Sequence, residues 1–102
     1  MPLAAPVRIP VELRRGARWF RMAHAVSLDG LELGHAAPAE LAGSAQHPVS
    51  LAFHLPGDPE PVHALGQIDE RAQPCMIRFV ELEEPARKRI LAYLRERLLI
   101  DG

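Results

Sequence analysis

A serine and a glycine three residues apart, Ser27 and Gly30 in the stretch "HAVSLDGLEL" (residues 24–33), have the spacing of half a site for a phosphate-bearing nucleotide. A hydroxyl can bond a ligand oxygen, and a glycine lets backbone come close to a ligand. Arginine is the natural complement, because its guanidinium fork makes bidentate, charge-assisted bonds to phosphate. Arg14 and Arg18 spell R-x-x-x-R, and Arg8 lies upstream of them. The same residues also have plainer roles. A serine beside a turn bonds local backbone, a glycine supplies a permissive φ, and charge at an exposed hairpin requires no special function.

Other reactive side chains are dispersed. The chain has five histidines. His54 and His63 fall on neighbouring strands, with His47 in the preceding loop. No H-x-x-x-H helix or Cys/His cluster accompanies them, so no metal site is expected. His24 falls on the apolar parity of its strand and is expected to be partly buried and hydrogen-bonded. Cys75 has no clear histidine partner in sequence, which argues against a nucleophile. The carboxylate pairs Asp58/Glu60 and Glu83/Glu84 fall in a loop and at a helix start, where solvated charge accounts for them. There is no P-loop and no dinucleotide-binding glycine pattern. The expectation is a non-enzymatic chain with no catalytic residue and no cofactor.

Trp19 stands apart from these. Strand alternation puts it on one face with Arg21, Ala25 and Ser27. Tryptophan and arginine are enriched at interface hot spots, so Trp19, Arg21 and Ala25 form a candidate partner-binding surface. The competing reading is that the terminal helix or a loop covers Trp19. Arg87 to Arg89, with Arg95 and Arg97, form either a second contact surface or the wet face of a helix.

The elements that must position these residues are mostly strands. Val7, Ile9, Val11 and Leu13 alternate with Arg8, Pro10, Glu12 and Arg14, a period-2 strand with one buried face. Pro10 suits an edge or an outward-facing point of that strand. "RRGA" (residues 14–17) reads as a hairpin turn with Gly16 at φ > 0. The second strand runs from about Arg18 to Ser27, with Phe20, Met22 and Val26 on one face. Leu31 and Leu33 continue a short third strand. Residues 35–48 read as a loop in which "PAEL" can form one helical turn. Val49, Leu51, Phe53 and Leu55 give a fourth strand. Val62, Ala64 and Ile68 give a fifth, with Gly66 marking a bulge or close approach. Ile77 and Phe79 belong to a sixth. From Pro85 the period changes to that of a helix, through Ile90, Leu91, Leu94 and Leu98. Glu83 and Glu84 at its start, and Arg95 and Arg97 at its end, complement the helix dipole.

A chain of 102 residues suits one domain, residues 1–102, with a modest core. Hydrophobic residues make up 48% and charged residues 25%, an ordinary globular balance. The net charge of −1 provides no overall field for nucleic acid. One cysteine cannot make an intrachain disulfide, and no apolar run reaches membrane-spanning length. A cytoplasmic protein without membrane insertion is expected; the oligomeric state is left open.

With this order laid out, "VSLDGLEL", then "VSLAFHLPG", then "IRFVELEEPARKRILAYLRERL" resembles the PilZ family over nearly the whole chain. The resemblance implies a mainly β, six-stranded antiparallel PilZ-like barrel with a C-terminal helix over about residues 84–99. It also implies a role in cyclic di-GMP signalling, through an R-x-x-x-R segment before the first strand and a D/N-x-S-x-x-G segment at the end of the second. Ser27 and Gly30 match the second segment, but Ala25 stands where the Asp or Asn would pair with guanine. Arg14 and Arg18 follow the first strand rather than precede it. The family's second arginine falls near Ala4 and its first at or before Met1, so the arginine arm is expected to be missing. The expectation is a degenerate PilZ domain acting through a protein partner, with weak or no cyclic di-GMP binding, in bacterial motility, polarity or biofilm control. The alternative is a cyclic di-GMP receptor that uses Arg8, or Arg14 and Arg18, beside Ser27 and Gly30.

Overall fold

Alternation of apolar and polar side chains builds the first strand. The computed structural model describes residues 4–33, 48–69 and 75–98. In it β1 spans Ala4–Arg15, with Ile9, Val11 and Leu13 buried and Arg8, Pro10 and Arg14 exposed. There follow β2 (Ala17–Ser27), β3 (Gly30–Leu33), β4 (Val49–His54), β5 (Pro61–Asp69), β6 (Met76–Leu82) and α1 (Glu84–Leu98). Each strand pairs antiparallel with its neighbours, and the sheet closes in the order β1-β2-β3-β6-β5-β4. The mainly β, six-stranded antiparallel barrel with a C-terminal helix is thus the fold class that the resemblance implied.

Inward-facing Leu13, Leu31, Leu33, Leu51, Phe53, Ile68 and Ile77 fill the barrel. Phe53 stacks on the half-buried Phe79 with ring centroids 6.2 Å apart and planes 3° from parallel. Gly16 takes φ 76° in the β1–β2 turn, the left-handed conformation its place between Arg15 and Ala17 requires. The β5–β6 register shifts between Leu65 and Gly66, so Gly66 does mark a bulge. The proposed "PAEL" helical turn lies outside the described residues.

β2 departs from simple alternation. Its register against β3 shifts between Ala23 and Ala25, and β1 shifts opposite, between Pro6 and Ile9. An extra residue in a strand flips the side chains that follow to the other face. Ala23 and Val26 are therefore both buried, although an odd number of steps separates them. Phe20 does not share the buried face of Val26 and is 57% exposed. His24, at the shift, is exposed rather than partly buried. A bulge carries no marker in the residue types here, so alternation alone placed both residues on the wrong side.

The helix starts where the Arg87 N–H bonds the Glu83 carbonyl at 2.9 Å. Pro85 costs nothing in this first turn, where an N–H has no intrahelical partner. Ala86, Ile90, Tyr93 and Leu94 are buried, and the helix packs against β1. Arg97 lies over the Tyr93 ring, 5.4 Å from its centroid.

Arg89 ties the helix to the β4–β5 loop. Its Nε and Nη2 donate to Asp58 Oδ2 at 3.0 and 2.7 Å. Nη2 and Nη1 also donate to the carbonyls of Glu60 and Pro61, at 2.5 and 3.3 Å. The backbone N–H of Glu60 donates to Asp58 Oδ1 at 3.0 Å. That N–H first, and the Arg89 bond second, hold the Asp58 carboxyl below its ordinary value of 3.8. A carboxyl with a depressed folded-state pKa stabilises the fold above its ordinary pKa. The contribution is lost as pH falls below 3.8 through the folded-state value. Asp58→Asn is therefore expected to lower stability at neutral pH and to flatten the decline of stability below pH 3.8. Urea unfolding of both proteins across a pH series checks this; parallel declines would contradict it.

Candidate functional site

The site that the sequence singles out is the turn joining β2 to β3. Ser27 closes β2, and its side chain organises the reversal. Its Oγ accepts the N–H of Asp29 at 3.1 Å and the N–H of Gly30 at 3.2 Å. The hydroxyl donates to the Gly30 carbonyl at 3.3 Å. A hydroxyl has one donor and two acceptor lone pairs, so all three are occupied inside the turn. Ser27 is also only 4% exposed.

Gly30 is needed for a reason the sequence did not display. The described non-standard backbone positions are Gly16 and Gly57, and Gly30 is not among the glycines at positive φ. What it lacks is room. A Cβ there would lie 1.9 Å from the carbonyl oxygen of Ile77 and 3.0 Å from Cα of Arg78. β6 crosses directly against this position, where Gly30 pairs with Arg78. The Phe79 N–H then bonds the Asp29 carbonyl at 2.8 Å, fixing the turn to β6 from the other side. The S-x-x-G pattern is thus a built structural joint: serine folds the turn and glycine admits the crossing strand.

The neighbouring positions offer little to a nucleotide. Ala25 is half-buried, pairs with Pro6 and Glu32, and has no side-chain acceptor. Arg8 is exposed in the irregular stretch of β1 between Pro6 and Ile9, across from the His24 region. Arg14 and Arg18 pair with each other across the β1–β2 hairpin. Each contacts Glu12, at 3.6 and 3.7 Å, and each is more than half exposed. At the usual rise per strand residue, Arg18 lies about 30 Å along β2 from Ser27. Within one chain, Arg14 and Arg18 do not converge with Ser27 and Gly30; Arg8 is the arginine on the same side of the hairpin.

The residues grouped around Trp19 are divided in the same way. Trp19 and Arg21 are in register with the buried Leu13 and Val11. Trp19 is half-buried and packs against the core. Arg21 is half-buried and its Nη1 donates to the Phe20 carbonyl at 2.8 Å. Ala25 lies beyond the bulge, in register with exposed Pro6, so it faces the other way. The bulge also brings out a residue that alternation had set inside, Phe20.

Among the described residues no three His, Cys, Asp or Glu side chains converge as a metal site would require. His54 and His63 are both exposed, on paired strands, with His54 opposite Pro61 and His63 opposite Ala52. His54 Nδ1 lies 3.3 Å from the Asp58 carbonyl oxygen. His47 lies outside the described residues. Cys75 is buried just before β6. No described helix is long and apolar enough to cross a membrane.

No family model matches the chain, and no curated relative matches it. Among solved structures, its fold is similar to that of the Bacillus subtilis inhibitor of motility, MotI/DgrA, with a TM-score of 0.72 at 13% sequence identity. The match covers 98% of this chain and 51% of that one, so the chain spans about half the length of that protein. At this identity the likeness is one of fold: a closed six-stranded antiparallel barrel with one C-terminal helix.

Proposed function

We propose that this chain is a degenerate PilZ domain that acts as a non-enzymatic signalling adaptor through a protein partner. It binds cyclic di-GMP weakly or not at all, works in the cytoplasm, and serves the control of bacterial motility, polarity or biofilm formation. The fold supports the family reading, and a solved structure of similar fold is that of an inhibitor of motility. The observation that carries the non-binding part is the saturated Ser27 hydroxyl. Beside it, Ala25 leaves a guanine donor without a partner, an omission worth about 1–3 kcal/mol in a buried contact.

A calorimetric titration with cyclic di-GMP, at two temperatures, tests this reading. The expected result is no saturable heat. A micromolar or tighter affinity would overturn it, and loss of that affinity in Arg8→Ala would then assign the variant arginine to the site.

A further inference from the structure

The exposed aromatic of β2 is Phe20, and it does not stand alone. It lies across from Glu12, which lies across from Ala52 on β4. Pro10, Glu12, Phe20, Ala52, His54 and Pro61 line a groove of about 230 Å³ on the outer face of the barrel. Single apolar residues on a surface require no explanation, but an aromatic ring beside two prolines and an alanine makes a continuous apolar floor. The barrel does not need it, since the core is complete on the other face of these strands.

The charge beside this floor is positive on balance, two arginines against the single carboxylate of Glu12. Arg14 and Arg18 occupy the next outward positions of the hairpin, with 55% and 58% of their side chains exposed. Arg15 and Arg21 belong to the same segment. Residues 14–21 contain four arginines and no acid, in a chain of net charge −1. Glu12 meets Arg14 and Arg18 only at 3.6 and 3.7 Å, longer than a hydrogen bond. An apolar pocket with an exposed aromatic, rimmed by arginines, has the composition of an interface hot spot.

We propose that this groove docks a segment of a partner protein in which an apolar side chain is flanked by carboxylates. The apolar side chain packs on Phe20 between Pro10 and Pro61, and the carboxylates meet the guanidinium groups of Arg14 and Arg18. This deepens the adaptor reading and rests on it. Positive charge concentrated in the hairpin of a slightly acidic chain is what specifies an acidic partner.

The test is to pan a displayed random-peptide library on the immobilised protein. Recovered peptides are then titrated by fluorescence anisotropy against the unmodified protein, Phe20→Ser, and the double variant Arg14→Glu/Arg18→Glu. Recovered peptides should pair an aromatic or leucine residue with neighbouring Asp or Glu. Phe20→Ser should weaken them at least about tenfold. The charge reversal should slow association and invert its salt dependence, since added salt then screens a repulsion. Phe20→Ser should keep the parent thermal midpoint, since Phe20 is more than half exposed. The charge reversal removes both contacts to Glu12 and should lower the midpoint slightly while the protein stays folded at the titration temperature. Peptides without acids, binding that ignores both variants, or a panning that recovers nothing would overturn the groove. So would a dimer in sedimentation equilibrium that Phe20→Ser dissolves, which would assign the groove to a second copy. Saturable cyclic di-GMP binding would instead overturn the adaptor reading, so the two failures are told apart.

Discussion

Gly30→Ala is expected to destabilise the protein by about 3–5 kcal/mol, among the largest effects a single methyl group can have. The methyl carbon would enter 1.9 Å from a backbone oxygen of β6. A flexible side chain could swing aside, but a strand carbonyl cannot. Either β6 withdraws and the Gly30–Arg78 pairing is lost, or the Ser27 turn opens. Domains of this size are stable by only about 5–15 kcal/mol, so much of the margin would go. Differential scanning calorimetry should show the midpoint lowered by more than about 10 °C. An unchanged midpoint would mean that β6 does not press on this turn.

Phe53→Ala carries the second large effect, an expected loss of about 3–5 kcal/mol. Phe53 is 2% exposed and is the largest of the fully buried side chains. Its β4 position is in register with Val11 on one side and Val62 on the other, both buried. Removing the ring leaves a cavity among strand backbones that cannot collapse inward, and Phe79 loses its stacking partner. The urea midpoint should fall by about 2 M with little change in slope. Phe79→Ala should cost less, because Phe79 is already partly exposed. Equal losses would show that the stack, and not the burial of Phe53, sets the cost.

Much of the fold was legible because each strand states its own inward face. Val11 and Leu13, Leu51 and Phe53, and Val62 and Ile68 fall where alternation puts them. The helix announced itself by a change of period at Pro85, and its described residues run from Glu84 to Leu98. The faces of β2 were misread at Phe20 and His24 because a bulge is a relation between strands, and no residue type at His24 signals it. Trp19 therefore drew attention, while the exposed ring was Phe20, next in sequence.

The candidate site was legible as a motif but not as a mechanism. Ser27 and Gly30 could be picked out by type and spacing. The role of Gly30 depends on Ile77 and Arg78, far away in the chain, and long-range strand pairing leaves no local trace. That of Ser27 lies in bonds to the turn backbone at Asp29 and Gly30. Arg14 and Arg18 show the reverse. Their spacing suggested a phosphate clamp, but in a hairpin it only places two like charges opposite one another, with Glu12 between them. The Arg89–Asp58 tie was likewise invisible, because it joins residues of a helix and a loop that no spacing rule connects.

The central claim is that Ser27 serves the turn and not a nucleotide. Thermal unfolding of the unmodified protein and of Ser27→Ala, each with and without an excess of cyclic di-GMP, tests it most directly. Removing the hydroxyl takes away the side-chain acceptor of the buried Gly30 N–H and of the part-buried Asp29 N–H, a loss of about 1–3 kcal/mol. The account predicts that Ser27→Ala melts several degrees lower and that the dinucleotide shifts neither protein. A ligand that binds the folded state raises its midpoint by mass action. A dinucleotide-induced rise in the unmodified protein that disappears in Ser27→Ala, with the unliganded midpoints equal, would contradict it.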